Sequence, residues 1–156
     1  MVLASQYPFL KVPGFYFAKM YQASSYVIGI KTKEELPKDM YLSIDEPNFS
    51  FRTVGDILLI GGAGHKTGSK VDYNETYGIL EKKAKELYPD CEIKYKWSTR
   101  DAISLDKIPY IGEYSSLMPN LYVMTGFNKW GMTSSNVAAN IITDKIVGGA
   151  LSLIHI

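Results

Sequence analysis

The chain has 156 residues, 46% of them hydrophobic and 21% charged, with a formal net charge of +1. That length supports one well-buried core, and the near-neutral balance supplies no field that would gather nucleic acid or an anionic membrane. Cys91 has no second cysteine to pair with, and with only His65 and His155 beside it there is no zinc or iron–sulfur ligand set. No apolar run reaches the roughly 18 residues a membrane span needs, and no secretory signal opens the chain, so a cytoplasmic protein is expected.

In chain order, "MVLASQYPF" starts with a short strand-like run, Val2 to Ala4, which reads equally as an edge strand or an artificial end. Alternation with a period of two predicts strands at Phe15 to Tyr21, Ser25 to Lys31 and Met40 to Ile44. "FSFRTVGDILLIGG" predicts a hairpin turning at Gly55 and Asp56. Asp72, with Glu75 three residues on, predicts a helix start. Its apolar stripe is Tyr73, Tyr77, Leu80, Ala84 and Leu87, and Pro89 ends it. "EIKYKWS" places Ile93, Tyr95 and Trp97 on one strand face and Glu92, Lys94, Lys96 and Ser98 on a wet one. A second helix is predicted from Thr133 or Ser134, carrying Val137, Ile141, Ile142 and Ile146 inward and stopping at Gly148 and Gly149. The sum is an α+β fold: a mixed, mostly antiparallel sheet with two main helices, and no composition shift that marks a domain boundary.

Three stretches carry candidate chemistry. "LLIGGAGHKTG", Leu58 to Gly68, lacks the P-loop spacing, since His65 stands where glycine must precede the lysine and Ile60 where the earlier glycine belongs. It reads as a loop, either solvated or bringing His65 and Lys66 to a ligand. "WSTRDAISLDKIPYIGEY" reads as a polar loop in which Arg100, Asp101, Asp106 and Lys107 form surface ion pairs, or in which Arg100 grips a carboxylate. "GFNKWGMTSS" combines Gly126 and Gly131, which admit close approach, with Phe127, Trp130 and Met132 at the start of a helix. A flat heterocycle that becomes anionic, such as a flavin, fits there; a glycine-bearing turn before a core helix is the alternative.

Taken in order, "ASQYPF", "STRDAISLDKIPYIG" and "NLYVMTGFNKWGMTSSNVAANIITDKIVG" resemble the later part of the FAD-dependent oxidoreductases of the D-amino acid oxidase superfamily, which includes glycine and sarcosine oxidases. The similarity is strongest to a bacterial subgroup that often carries a C-terminal Rieske domain. The resemblance implies FAD as cofactor, contacted by Gly126, Phe127, Lys129, Trp130, Gly131, Met132 and Thr133. It matches Asp106, Pro109 and Gly112 to an Asp-x-x-Pro-x-x-Gly return strand, and Ala4 and Ser5 to the strand end leaving the FAD domain. Residues 11–98 would be the substrate-covering sheet domain, 1–10 and 99–149 segments of the FAD-binding domain, and 150–156 a tail. His65, Lys66 and Arg100 would face a small-molecule substrate. Where many amine-oxidising members have Arg-Pro, this chain has Asp101 and Ala102.

No Gly-x-Gly-x-x-Gly follows a strand, and no Rieske Cys/His pattern occurs. The expectation is therefore a segment of an enzyme that oxidises an amine or hydroxyl-bearing molecule by hydride transfer. It would be inactive without the N-terminal FAD-binding half and prone to self-association through exposed apolar surface. The competing class is a non-catalytic module that binds a ligand or protein.

Overall fold

The computed structural model describes residues 1–148; the expected stop at Gly149 and the tail 150–156 lie outside them. The elements run β1 (Val2–Leu3), a single 3-10 turn (Tyr16–Ala18), β2 (Met20–Lys31), β3 (Tyr41–Leu42), β4 (Phe49–Val54), β5 (Ile57–Lys66), α1 (Tyr73–Leu87), β6 (Glu92–Ser104), β7 (Tyr110–Glu113), β8 (Tyr122–Thr125) and α2 (Gly131–Val147). Two mostly antiparallel sheets and two helices make an α+β fold. One sheet has strand order β1-β8-β7 and the other β3-β4-β5-β2-β6. The chain divides into two compact units: Ser24–Arg100, and Met1–Ala23 with the described part of Asp101–Ile156.

In the Ser24–Arg100 unit, β4 and β5 form the expected hairpin, with Val54 opposite Ile57 across Gly55 and Asp56. Gly55 takes the left-handed φ of 62° that a two-residue hairpin turn demands. Tyr26, Ile28, Ile30, Phe49, Leu58 and Ile60 project from one sheet face into a cluster closed by Leu80, Ala84 and Cys91. Each fully buried aliphatic side chain there contributes about 1.5–3 kcal/mol. Asp72 caps α1 by accepting the Asn74 amide at 2.7 Å, and the Tyr88 amide closes the other end on the Ala84 carbonyl.

Several expectations are corrected here. The glycine-rich stretch is strand, not loop, because β5 runs on to Lys66. A Cβ on Gly61 would lie 2.6 Å from Ser50 Oγ and one on Gly62 2.6 Å from the Asn48 carbonyl oxygen, so these glycines serve close strand packing. Arg100 and Asp101 likewise lie within β6, not in a loop. Being last in its sheet, that strand is polar and exposed on both faces near Ser98 to Arg100, which hides its alternation. Ile93 packs against the buried cluster, but further along β6 the faces at Tyr95 and Lys96 are exchanged relative to expectation. Lys96 lies on the helix side, paired with Glu81 and set over the Tyr77 ring, whereas Tyr95 lies beside Gly29 on the open face and is 58% exposed. Without a side chain at Gly29, the Tyr95 ring has room to lie flat on the sheet.

In the other unit, β1 pairs in parallel with β8 and β7 pairs antiparallel with β8. Leu3, Tyr16, Met20, Tyr114, Leu121 and Val123 form its core. The strand expected from Phe15 is instead a 3-10 turn entered through Phe15 at φ 52°. The turn drives Tyr16 inward against the rings of Tyr110 and Tyr114, and β2 begins only at Met20. Helix α2 buries Ala138 and Ile142 but leaves Val137 and Ile146 about half exposed. The strands beneath it are two to four residues long, so only a narrow strip of the helix meets apolar surface. Its C-terminus closes at Gly148 with φ 73°, as the sequence implied.

Candidate functional site

The turn between β8 and α2 is built from left-handed residues. Gly126, Asn128 and Lys129 have φ of 73°, 51° and 71°, and the Trp130 amide closes on the Phe127 carbonyl at 2.8 Å. Two successive positive φ values inside such a bond describe a type I′-like turn, for which asparagine is a preferred residue. At Gly126 a Cβ would approach Met20 Sδ to 3.2 Å and Ser104 Cβ to 3.5 Å, so this position needs glycine for both backbone and space. Beside it, the Thr125 hydroxyl donates to the Gln6 carbonyl at 2.8 Å.

Asn128 is the residue that sequence reasoning passed over. Its Oδ1 accepts the Ser104 amide at 2.9 Å and its Nδ2 donates to the Lys107 carbonyl at 2.9 Å. The Asn128 amide itself reaches the Ala102 carbonyl at 3.3 Å. Asparagine's tolerance of the left-handed region is the one local clue; its bonding partners are distant in sequence.

Helix α2 starts at Gly131, two to three residues before the expected Thr133 or Ser134, because the turn delivers Trp130 directly as the N-cap. Trp130 makes no side-chain cap bond. The first helical bond is Ser134 amide to Trp130 carbonyl, at 2.9 Å. The amides of Gly131, Met132 and Thr133 thus precede the helical ladder, at the positive end of the helix dipole. The side chains here face outward, with Trp130 66% and Met132 90% exposed.

Upstream, the Asp106–Gly112 stretch borders an open cleft of about 350 Å³ lined by Tyr16, Asp106, Tyr110, Glu113 and Val123 among others. Asp106 Oδ1 accepts the Ile108 amide at 3.0 Å. Burial, then the neighbouring Asp106 charge, pushes the Tyr110 phenol above its usual range.

The second group of candidates belongs to the Ser24–Arg100 unit. His65 and Lys66 end β5, and Arg100 lies in β6. Tyr26 connects them. Its hydroxyl is 2.8 Å from His65 Nε2, its ring stacks on the imidazole, and its phenol feels the Arg100 charge. Burial, with Tyr73 and Tyr77 nearby, nonetheless raises the Tyr26 pKa overall. Among the described residues no group of His, Cys, Asp or Glu is arranged to hold a metal ion.

The sequence profile described as FAD dependent oxidoreductase matches residues 8–145. The chain belongs to this family. YhfW of Bacillus subtilis (strain 168), named for a Rieske 2Fe-2S iron-sulfur protein, is 43% identical over 150 residues, covering 94% of this chain and 30% of the relative. That relative agrees with the similarity to the Rieske-carrying subgroup. The gamma-glutamylputrescine oxidoreductase of Escherichia coli (strain K12) is 24% identical over 132 residues, covering 76% of this chain and again 30% of the relative. This chain therefore spans about 30% of the length of the curated relatives it matches. Among solved structures, glycine oxidase from Geobacillus kaustophilus superposes with a TM-score of 0.78 at 19% identity, over 97% of this chain and 42% of that one. Glycine oxidase from Bacillus cereus ATCC 14579 gives 0.75 at 20% identity, over 97% and 44%. The fold is shared with both. FAD is the cofactor of the family, and among the described residues no helix is long and apolar enough to cross a membrane.

Proposed function

We propose that this chain is the flavin-closing and substrate-covering part of a cytoplasmic oxidoreductase that acts on an amine or hydroxyl-bearing small molecule. The observation that carries the reading is the uncapped start of α2, delivered by the Gly126–Trp130 turn. FAD, when bound, supplies the acceptor for a hydride from the C–H beside the amine or hydroxyl.

The residues of this turn fit such a group. Gly131 has no heavy atom closer than Phe127 Cβ, at 4.0 Å, around its missing side chain, so a flat ring can approach the backbone there. The amides of Gly131, Met132 and Thr133 offer donors to a pyrimidine edge that gains negative charge, favouring the reduced over the oxidised state. Phe127, Lys129 and Trp130 complete the flavin side. Asn128 contributes by holding the turn to Ser104 and Lys107.

His65, Lys66 and Arg100 take the substrate side, on the Ser24–Arg100 unit. On this reading Arg100 and Lys66 face a carboxylate or another anionic group. On this reading the chain needs the N-terminal dinucleotide-binding half to hold FAD and is inactive alone. Its exposed apolar residues, including Met132 and Val147 on α2, then favour self-association, which sedimentation at several concentrations reads directly.

Fluorescence tests the flavin contact. Trp97 and Trp130 are the two tryptophans, so Trp97→Phe leaves Trp130 as the reporter. Supplying the N-terminal half and FAD should give a yellow complex with strongly quenched Trp130 emission, while the chain alone stays colourless with FAD added. A flavin-loaded complex in which Trp130 emission is unchanged would remove the turn from the cofactor site.

A further inference from the structure

β5 changes face before it ends. Leu58 and Ile60 point into the buried cluster, and Gly62 lies under Leu80, so strict alternation would turn Ala63 and His65 to the opposite side. Ala63 instead packs against that cluster, and the His65 ring stacks on Tyr26, centroids 5.5 Å apart. The shift occurs at Ala63, whose φ is 50°, immediately after the β4 ladder closes with Phe49 opposite Gly62. A non-glycine residue held left-handed within a strand persists only where its surroundings enforce it. Such a bulge re-aims the side chains that follow it.

The re-aimed imidazole meets a donor and an acceptor. Its Nδ1 lies 3.0 Å from the Lys66 carbonyl oxygen, which only accepts, so Nδ1 carries the proton. Nε2 is then the acceptor of the neutral ring, and the Tyr26 hydroxyl, 2.8 Å away, donates to it. Tyr26 is 1% exposed and wedged edge-on to Tyr77, so the donor cannot swing away. Two residues beyond His65 and just past the end of β5, Thr67 Oγ1 meets Ser24 Oγ of β2 at 2.9 Å, a second tie to that strand.

We propose that Tyr26 is a positioning residue for His65. The Lys66 carbonyl calls for the Nδ1–H tautomer, the Tyr26 hydroxyl reinforces it by donating to Nε2, and the imidazole, through Nδ1–H, clamps that carbonyl and fixes the end of β5. The consequence for chemistry rests on the reading of His65 and Lys66 as substrate-side residues. With both ring nitrogens engaged inside the chain, His65 contributes a rigid wall that sets the place of Lys66, rather than a ring nitrogen turned toward the substrate.

Long-range proton–nitrogen correlation spectra of the full chain test the clamp, with His65→Gln to assign the signals and the pH set where the ring is neutral. The native protein should show a protonated Nδ1 and a pyridine-like Nε2. Tyr26→Phe, with its circular dichroism unchanged, should shift the ring toward the Nε2–H form. A native spectrum dominated by Nε2–H, or a native-like tautomer in Tyr26→Phe, overturns the proposal. The native spectrum decides even if the variant does not fold. Neither readout involves flavin or substrate. In the complex with the N-terminal half, Tyr26→Phe should raise KM more than it lowers kcat; a shifted tautomer with unchanged KM would keep the clamp and reject the substrate-side placement.

Discussion

Asn128 and Ser104 join two parts of the chain 24 residues apart: the Ser104 amide donates to Asn128 Oδ1 at 2.9 Å, locking the end of β6 to the turn that launches α2. Asn128→Ala removes that acceptor and the Nδ2 bond to Lys107, and places alanine at φ 51°. A loss of about 2–3 kcal/mol is expected, read as a lower urea midpoint with unchanged slope. Asn128→Gly, which keeps the backbone comfortable, should recover part of it.

Gly126 and Gly131 should separate structural from functional glycine. Gly126→Ala meets both a φ of 73° and Met20 Sδ at 3.2 Å, so it should destabilise the isolated chain by about 1–3 kcal/mol. Gly131→Ala meets open space at the first helical position and gains helix propensity, so stability should hold or rise by up to about 1 kcal/mol. With the N-terminal half present, the same Gly131→Ala should weaken FAD binding measurably in a flavin titration. Unchanged affinity would mean that no ring approaches that backbone.

The hairpin, the α1 cap at Asp72 and the Gly148 stop were legible because each depends on local rules: a two-residue turn, a side-chain acceptor, a left-handed glycine. The strand-to-helix turn entered at Gly126 was legible for the same reason. What escaped depends on partners distant in sequence. Arg100 looked like loop because an edge strand is wet on both faces, and Tyr95 was placed on the wrong face because the Lys96–Glu81 pair with α1 cannot be seen in strand alternation. Asn128 escaped because its bonds run to Ala102, Ser104 and Lys107, and the Tyr26–His65 pair because a bulge at Ala63 has no signature in a glycine-rich run.

Gly62→Ala offers a test of the strand reading of residues 58–66. The added methyl would lie 2.6 Å from the Asn48 carbonyl oxygen and 3.3 Å from Leu80 Cδ2, one a backbone atom and the other in the core. The variant should lose about 1–3 kcal/mol in urea unfolding. Retained stability would show that the segment is free of β4, as a loop would be.

The Lys31–Asp56 pair beside the β4–β5 turn sets a pH dependence. Hydrogen bonding to Lys31, then its charge, holds the Asp56 carboxyl below its usual range, and the same pair raises the Lys31 ammonium. The depressed carboxyl contributes stability above the ordinary carboxylate pKa, lost as pH falls through its lowered folded value. The raised ammonium contributes below the ordinary lysine pKa, lost as pH rises through its raised one. Both contributions coexist between those limits. Because both groups are on the surface, Asp56→Asn should cost little there and less in high salt. Midpoints for native and variant should converge at acid pH.

Beneath the turn that launches α2 sits a thioether. Met20 Sδ is 4.0 Å from Thr125 Oγ1 and closes the space beside Gly126, and its residue is 5% exposed. Oxidation of that sulfur would add a polar atom where no volume is spare, prising up the bend from below. The shape of that bend therefore depends on keeping a buried sulfur reduced.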